Sequence, residues 1–130
     1  MGRICAVYDG SIEDDDILNP RTELDSHANM AVAGKHSFIF ESTGRTCDVS
    51  PFSKDLGMVS NVPIVDAAIA YEDVKTGEVV ILLMRNALYI PSMSINLIPP
   101  FLMRCGGVIV RETAKIHCDN PTKLDHCISF

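Results

Sequence analysis

Two apolar runs separated by a short polar turn constrain this chain more than any other feature. Residues 62–71 read Val-Pro-Ile-Val-Asp-Ala-Ala-Ile-Ala-Tyr, residues 78–84 read Glu-Val-Val-Ile-Leu-Leu-Met, and Lys75-Thr76-Gly77 lies between them. β-branched and apolar residues fit a pleated, half-buried surface, and Gly supplies the positive φ that a tight connection needs. The pattern predicts an antiparallel hairpin with its tip at Lys75-Thr76-Gly77.

Shorter strands are predicted around that hairpin. Residues 21–25 alternate, with Thr22 and Leu24 on one face; residues 38–40 form an aromatic and β-branched run ending near Gly44. Residues 51–57 read as a turn-rich loop, residues 87–90 as a short strand stopped by Pro91, and residues 108–110 as a strand after the Gly106-Gly107 break. Residues 99–104 begin with two prolines, which suit the first turn of a helix because the missing N–H costs least there. The expected class is all-β with one short helix.

Composition sets further bounds. At 130 residues, with 47% apolar and 22% charged residues, the chain suits one globular domain with its own core. A net charge of −6 and the absence of a Lys/Arg cluster argue against direct binding of nucleic acid. The longest apolar run, residues 79–84, is too short to cross a bilayer, and residues 1–10 lack the pattern of a signal peptide, so a cytoplasmic protein without membrane contact is expected. Ala6 stands where a myristoylation signal at Gly2 would want Ser or Thr. Glu13, Asp14, Asp15 and Asp16 repel one another, so residues 1–20 read as a flexible acidic linker; no EF-hand Gly or late Glu accompanies them.

Chemistry is concentrated in Leu24-Asp25-Ser26-His27-Ala28. An Asp followed by a small hydroxyl residue and Ala is how an aspartic protease presents its catalytic carboxylate. Such an enzyme needs two carboxylates sharing one proton, one acting as base toward water and the other as acid toward the scissile carbonyl. The usual loop reads Asp-Thr/Ser-Gly-Ala, and here His27 occupies the Gly position. Neither Asp48-Val49-Ser50 nor Asp66-Ala67-Ala68 repeats the pattern, so one chain supplies one catalytic aspartate. A second stretch adds specificity: Asn86-Ala87-Leu88-Tyr89-Ile90-Pro91-Ser92-Met93-Ser94-Ile95-Asn96-Leu97-Ile98 resembles the Asn-Val-Leu-Tyr-Val-Pro-x-Leu-x-x-Asn-Leu-Leu run that follows the protease flap in Ty1/copia-type retrotransposon polyproteins. There too the Asp loop lies about sixty residues upstream, and a long spaced match is far less accidental than a short one. Residues 21–110 thus resemble a copia-type retropepsin-like domain.

The resemblance implies a dimer-forming, retropepsin-like acid-protease lobe over residues 21–118, with residues 119–130 as the C-terminal segment of a truncated polyprotein. It implies a homodimeric aspartic endopeptidase that uses no cofactor and cleaves polypeptide, the parent polyprotein above all. Asp25 would be catalytic, Ser26 would interlock the two loops, Ala28 would complete the loop, and Asn29 would stand where retropepsins often place a second Asp that holds the substrate backbone. Val65-Asp66-Ala67-Ala68 loosely matches the family's Ala-Asp-Gly near the flap, which makes Asp66, Ala67 and Ala68 flap candidates. Residues 95–98 would form the strand leading into the helix that buttresses the active-site loop.

His27 admits two readings. If the loop requires positive φ, a non-Gly residue costs about 1 kcal/mol or more; if the turn differs, His27 is an ordinary structural residue. The rival to catalysis is a silent retropepsin-like remnant or dimeric interaction module. Elsewhere, His117-Cys118 and His126-Cys127 offer metal-ligand types, but neighbours on a strand face opposite ways and the spacing is not that of a zinc finger. No metal is expected, no Gly-rich oxyanion motif supports a Cys-His hydrolase, and the five cysteines are expected to be reduced thiols.

Overall fold

In a computed structural model of the chain, residues 3–5, 21–50, 57–73 and 75–129 are described. The described residues are mostly strand, with one short helix. The elements in chain order are β1 (Arg3–Cys5), β2 (Arg21–Leu24), β3 (Val32–Ala33), β4 (Phe38–Val49), β5 (Val59–Glu72), β6 (Val79–Tyr89), β7 (Ile95–Ile98), α1 (Pro100–Cys105), β8 (Ile109–Glu112) and β9 (His126–Ser129). Six strands form one sheet in the order β2-β7-β3-β6-β5-β4, and three form a second in the order β1-β9-β8.

The central hairpin forms as expected. β5 and β6 pair antiparallel from Ile64↔Leu88 to Glu72↔Val79. At the tip Gly77 adopts φ 71°, and Asp73 both accepts the Lys75 N–H on its carboxylate and receives the Gly77 N–H on its backbone carbonyl. Residues 87–90 are not a separate strand, since β6 runs unbroken to Tyr89. An irregularity at Arg85-Asn86, opposite Asp66, divides the pattern: Asn86 takes φ 54°, and this inserted residue lets both Met84 and Ala87 reach the same core. An alternating pattern that slips by one residue looks like two strands in sequence.

β4 is also longer than the aromatic run suggested. Gly44 does not end it but sits inside it at φ 73°, where the register against β5 shifts between Ser42 and Thr46. The predicted loop after β4 falls largely on residues 51–56, outside the described residues. The small sheet was not foreseen. β1 lies within the stretch read as linker and β9 within the segment 119–130, and they pair Arg3↔Ser129 to Cys5↔Cys127. Strands of three and four residues are too short to display a period. The acidic run at 13–16 is outside the described residues.

The main core joins Ala31 and Ala33, Val65, Ala67 and Ile69 of β5, Met84 and Ala87 of β6, Ile98, Met103 and Val110. A second cluster of Val32, Val62, Ile64 and Leu88 covers the opposite sheet face. α1 begins at Pro100 as expected, buries Pro100 and Met103, and ends where Gly107 adopts φ 86° and donates its N–H to the Arg104 carbonyl. No helix among the described residues is long and apolar enough to cross a membrane.

Candidate active site

Asp25 follows directly from the end of β2. That strand lies parallel to β7 with Leu24 opposite Ile98, and the Asp25 N–H donates to the Ile98 carbonyl at 3.1 Å. β7 continues into α1, so the backbone of Asp25 is tied to the strand that leads into the helix. The loop then turns on Asp25 itself. Its Oδ1 accepts the His27 N–H at 2.9 Å, and its carbonyl accepts the Ala28 N–H at 3.3 Å. An Asp carboxylate bonded two residues ahead forms a turn without help from Gly.

This geometry decides between the two readings of His27. Among the described residues only Asn61 and Asn86 combine a side chain with positive φ, so His27 occupies an ordinary backbone conformation. The loop needs the residue's N–H, which His supplies as well as Gly does. Asp25 and Ala28 are half-buried, while Ser26, His27 and Asn29 are exposed. The loop therefore presents one carboxylate and its polar neighbours at the surface.

Two residues before Ile98 on β7 lies a polar centre. Asn96 of β7 is 2% exposed; its Oδ1 accepts the Gly34 N–H at 2.8 Å and the Ser37 hydroxyl at 2.6 Å, and its Nδ2 donates to Thr22 Oγ1 at 3.2 Å. One side chain thus fixes β2, β7 and the turn after β3 relative to one another. Gly34 is required there because an added Cβ would lie 2.4 Å from the Ile95 carbonyl oxygen and 2.8 Å from that of Met93. Asn96 and Gly34 were not singled out as site-forming residues. The signal was a lone amide between apolar residues on a strand, since a buried amide must find partners.

Asp66, Ala67 and Ala68 occupy a different setting from the flap suggested for them. They lie in the middle of β5 with neighbours on both sides: Ala67 faces Ile39 on β4 and Met84 on β6 and is fully buried. They are sheet interior, because Ala at these positions lets the core close on β5. Asp66 is buried and holds the β6 irregularity. Its Oδ1 accepts the Asn86 N–H at 2.9 Å, and its Oδ2 meets Arg85 Nη1 at 3.0 Å. Arg85 also lies over the Phe40 ring, 5.7 Å from its centroid.

The Asn86 N–H and the Arg85 guanidinium hold the Asp66 carboxyl below its ordinary value of 3.8, against the opposing effect of burial. A carboxyl depressed in the folded state stabilises the fold above its unfolded value, and that contribution is lost as pH falls through the folded value. Thermal denaturation against pH should therefore show Asp66→Asn melting below the wild type at pH 6, with the gap closing as the pH falls below the carboxyl's ordinary value of 3.8. A constant gap across that range would exclude this role for the ionised carboxylate.

No group of three or more His, Cys, Asp or Glu residues arranged to hold a metal occurs among the described residues. Cys47, Cys105, Cys118 and Cys127 are free thiols; Cys127 is buried and Cys118 half-buried. The arrangement at Asp25 can polarise a water molecule, but a proton-sharing pair needs a second carboxylate. Searches for related protein families, curated proteins and solved structures found no match to this chain.

Proposed function

We propose that this chain is a copia-type, retropepsin-like aspartic endopeptidase that works as a two-fold homodimer. The observation that carries the reading is the double anchoring of Asp25: its carboxylate is held by the His27 N–H, and its own N–H by the strand that leads into α1. This fixes the carboxylate in an exposed turn on a rigid support, as a catalytic acid or base requires. Asp25 from each of two copies would meet on the symmetry axis.

In that pair one carboxylate is ionised and the other protonated, because two like charges a few Å apart do not both ionise. The ionised Asp25 removes a proton from water as the water oxygen bonds to the scissile carbonyl carbon. The protonated Asp25 gives its proton to the carbonyl oxygen. Collapse of the tetrahedral adduct breaks the C–N bond: the amine leaves with the proton that the base took up, and a hydroxyl proton of the adduct returns to the carboxylate that had given its own, which restores the pair. The substrate is an extended polypeptide, the parent polyprotein in the first place.

The test is cleavage of an unstructured peptide library from about pH 4 to 7, the window in which a proton-sharing pair titrates. Sedimentation on the same preparation establishes its oligomeric state. Cleavage by the dimer is expected. A folded dimer that cleaves nothing would leave the silent interaction module in its place, and a protein that stays monomeric at micromolar concentration would remove the catalytic reading.

A further inference from the structure

His27 does more than supply a backbone N–H, because it adds an aromatic donor where a Gly loop has none. Its N–H lies 2.9 Å from Asp25 Oδ1, so the ring is tethered within about 8 Å of the carboxylate, given ordinary bond lengths along the side chain. The residue is exposed, and among the described residues its imidazole has no hydrogen-bond, ion-pair or ring partner. The charged side chains of the adjoining elements are engaged elsewhere: Arg21 with Glu23 at 2.6 Å on β2, and Arg104 of α1 with Glu112 at 3.0 Å; β7 carries none. Ser26 and Ala28 on either side are small.

A peptide placed for attack by water activated at Asp25 has its scissile carbonyl a few Å from that carboxylate. Successive residues of an extended chain advance about 3.3 Å, so the side chains flanking the cleaved bond fall within reach of the ring. An imidazole offers an N–H donor in either protonation state, and its bulk narrows the space beside the bond. By two-fold symmetry a second ring serves the other side.

We infer that His27 is a specificity-determining residue of this site, selecting polypeptides that carry a hydrogen-bond acceptor side chain next to the scissile bond and excluding large aromatic ones. The inference rests on the proteolytic reading above. It departs from a Gly loop, which would offer neither donor nor obstruction.

The experiment compares cleavage of decapeptides that differ only at the two central positions, carrying Gln, the near-isosteric Met, or Phe. Wild type, His27→Gly, His27→Ala and His27→Gln are assayed, with Asp25→Asn as the control for protease contamination. The wild type is expected to favour Gln over Met by about tenfold in kcat/KM, the value of one well-made hydrogen bond, and to disfavour Phe. His27→Gly and His27→Ala should bring the Gln-to-Met ratio near one and improve Phe cleavage, while His27→Gln retains part of the Gln preference. Melting temperature is expected to change little in His27→Ala, so a shift in selectivity is not a loss of structure. Asp25-dependent cleavage with the same Gln-to-Met ratio in all four proteins would overturn the inference and leave the protease standing. Cleavage by His27→Gly alone would overturn it by showing that the ring blocks the cleft. Absence of Asp25-dependent cleavage in every variant would overturn both.

Discussion

Asp25→Asn is expected to lower peptide cleavage by at least about 10³-fold while leaving the melting temperature within a few degrees of wild type. An amide neither takes a proton from water nor gives one to a carbonyl oxygen at these pH values, and a positioned acid or base contributes about 10² to 10⁴ in rate. The loop should survive the change. An Asn Oδ1 accepts the His27 N–H as the carboxylate does, and the bond from the Asp25 N–H to the Ile98 carbonyl involves no side chain. Loss of folding in this variant would show that the carboxylate is structural, as it is at Asp66. Equal cleavage by variant and wild type would remove Asp25 from the chemistry.

Asn96→Leu is expected to destabilise the fold by about 3 to 4 kcal/mol, a fall of roughly 10–15 °C in melting temperature for a domain of this size. Leu keeps the branched shape of the amide but is larger, so the effect combines the loss of its hydrogen bonds with crowding at a buried site. The buried Gly34 N–H loses its acceptor, and the Ser37 and Thr22 hydroxyls lose a partner at the same time. Thr22→Val removes one of those bonds and should cost about 1 kcal/mol. Gly34→Ala probes the same junction sterically, since its Cβ would meet two backbone carbonyls that have no flexible end to move. If Asn96→Leu melted with Thr22→Val, the amide would not be the junction that the geometry implies.

What the sequence disclosed depended on the length over which a pattern repeats. The hairpin of β5 and β6 was legible because its apolar runs span many residues and Gly77 punctuates them. The first turn of α1 was legible because Pro99 and Pro100 have no place further into a helix. The continuity of β6 was not, because Asn86 shifts the alternation and the Asp66 carboxylate supplies the bond that a regular ladder would have made. β1 escaped because its partner β9 lies more than a hundred residues away in sequence, and β9 because it is a short strand held between β1 and β8.

The candidate site divides in the same manner. Asp25 was visible through its neighbours, but the backbone conformation of His27 was not, since a Gly position can be conserved in a loop for space or for φ. The structure answers for φ alone: the turn is made by the Asp25 side chain, and any L-residue with an N–H completes it. Asp66 resembled flap chemistry because an Asp beside small residues reads the same in a turn and in a strand interior. Only its pairing with both β4 and β6 separates the two.

The central proposal is that catalysis requires one Asp25 from each of two copies, and mixing tests it most directly. Wild type and Asp25→Asn are combined at constant total concentration, allowed to exchange subunits, and assayed for cleavage. With one carboxylate per chain and a mixed dimer that lacks half the pair, an equal mixture is expected to retain about one quarter of the wild-type rate, falling as the square of the wild-type fraction. A fall in direct proportion, to about one half at equal mixture, would show that each chain acts alone and would contradict the two-fold site.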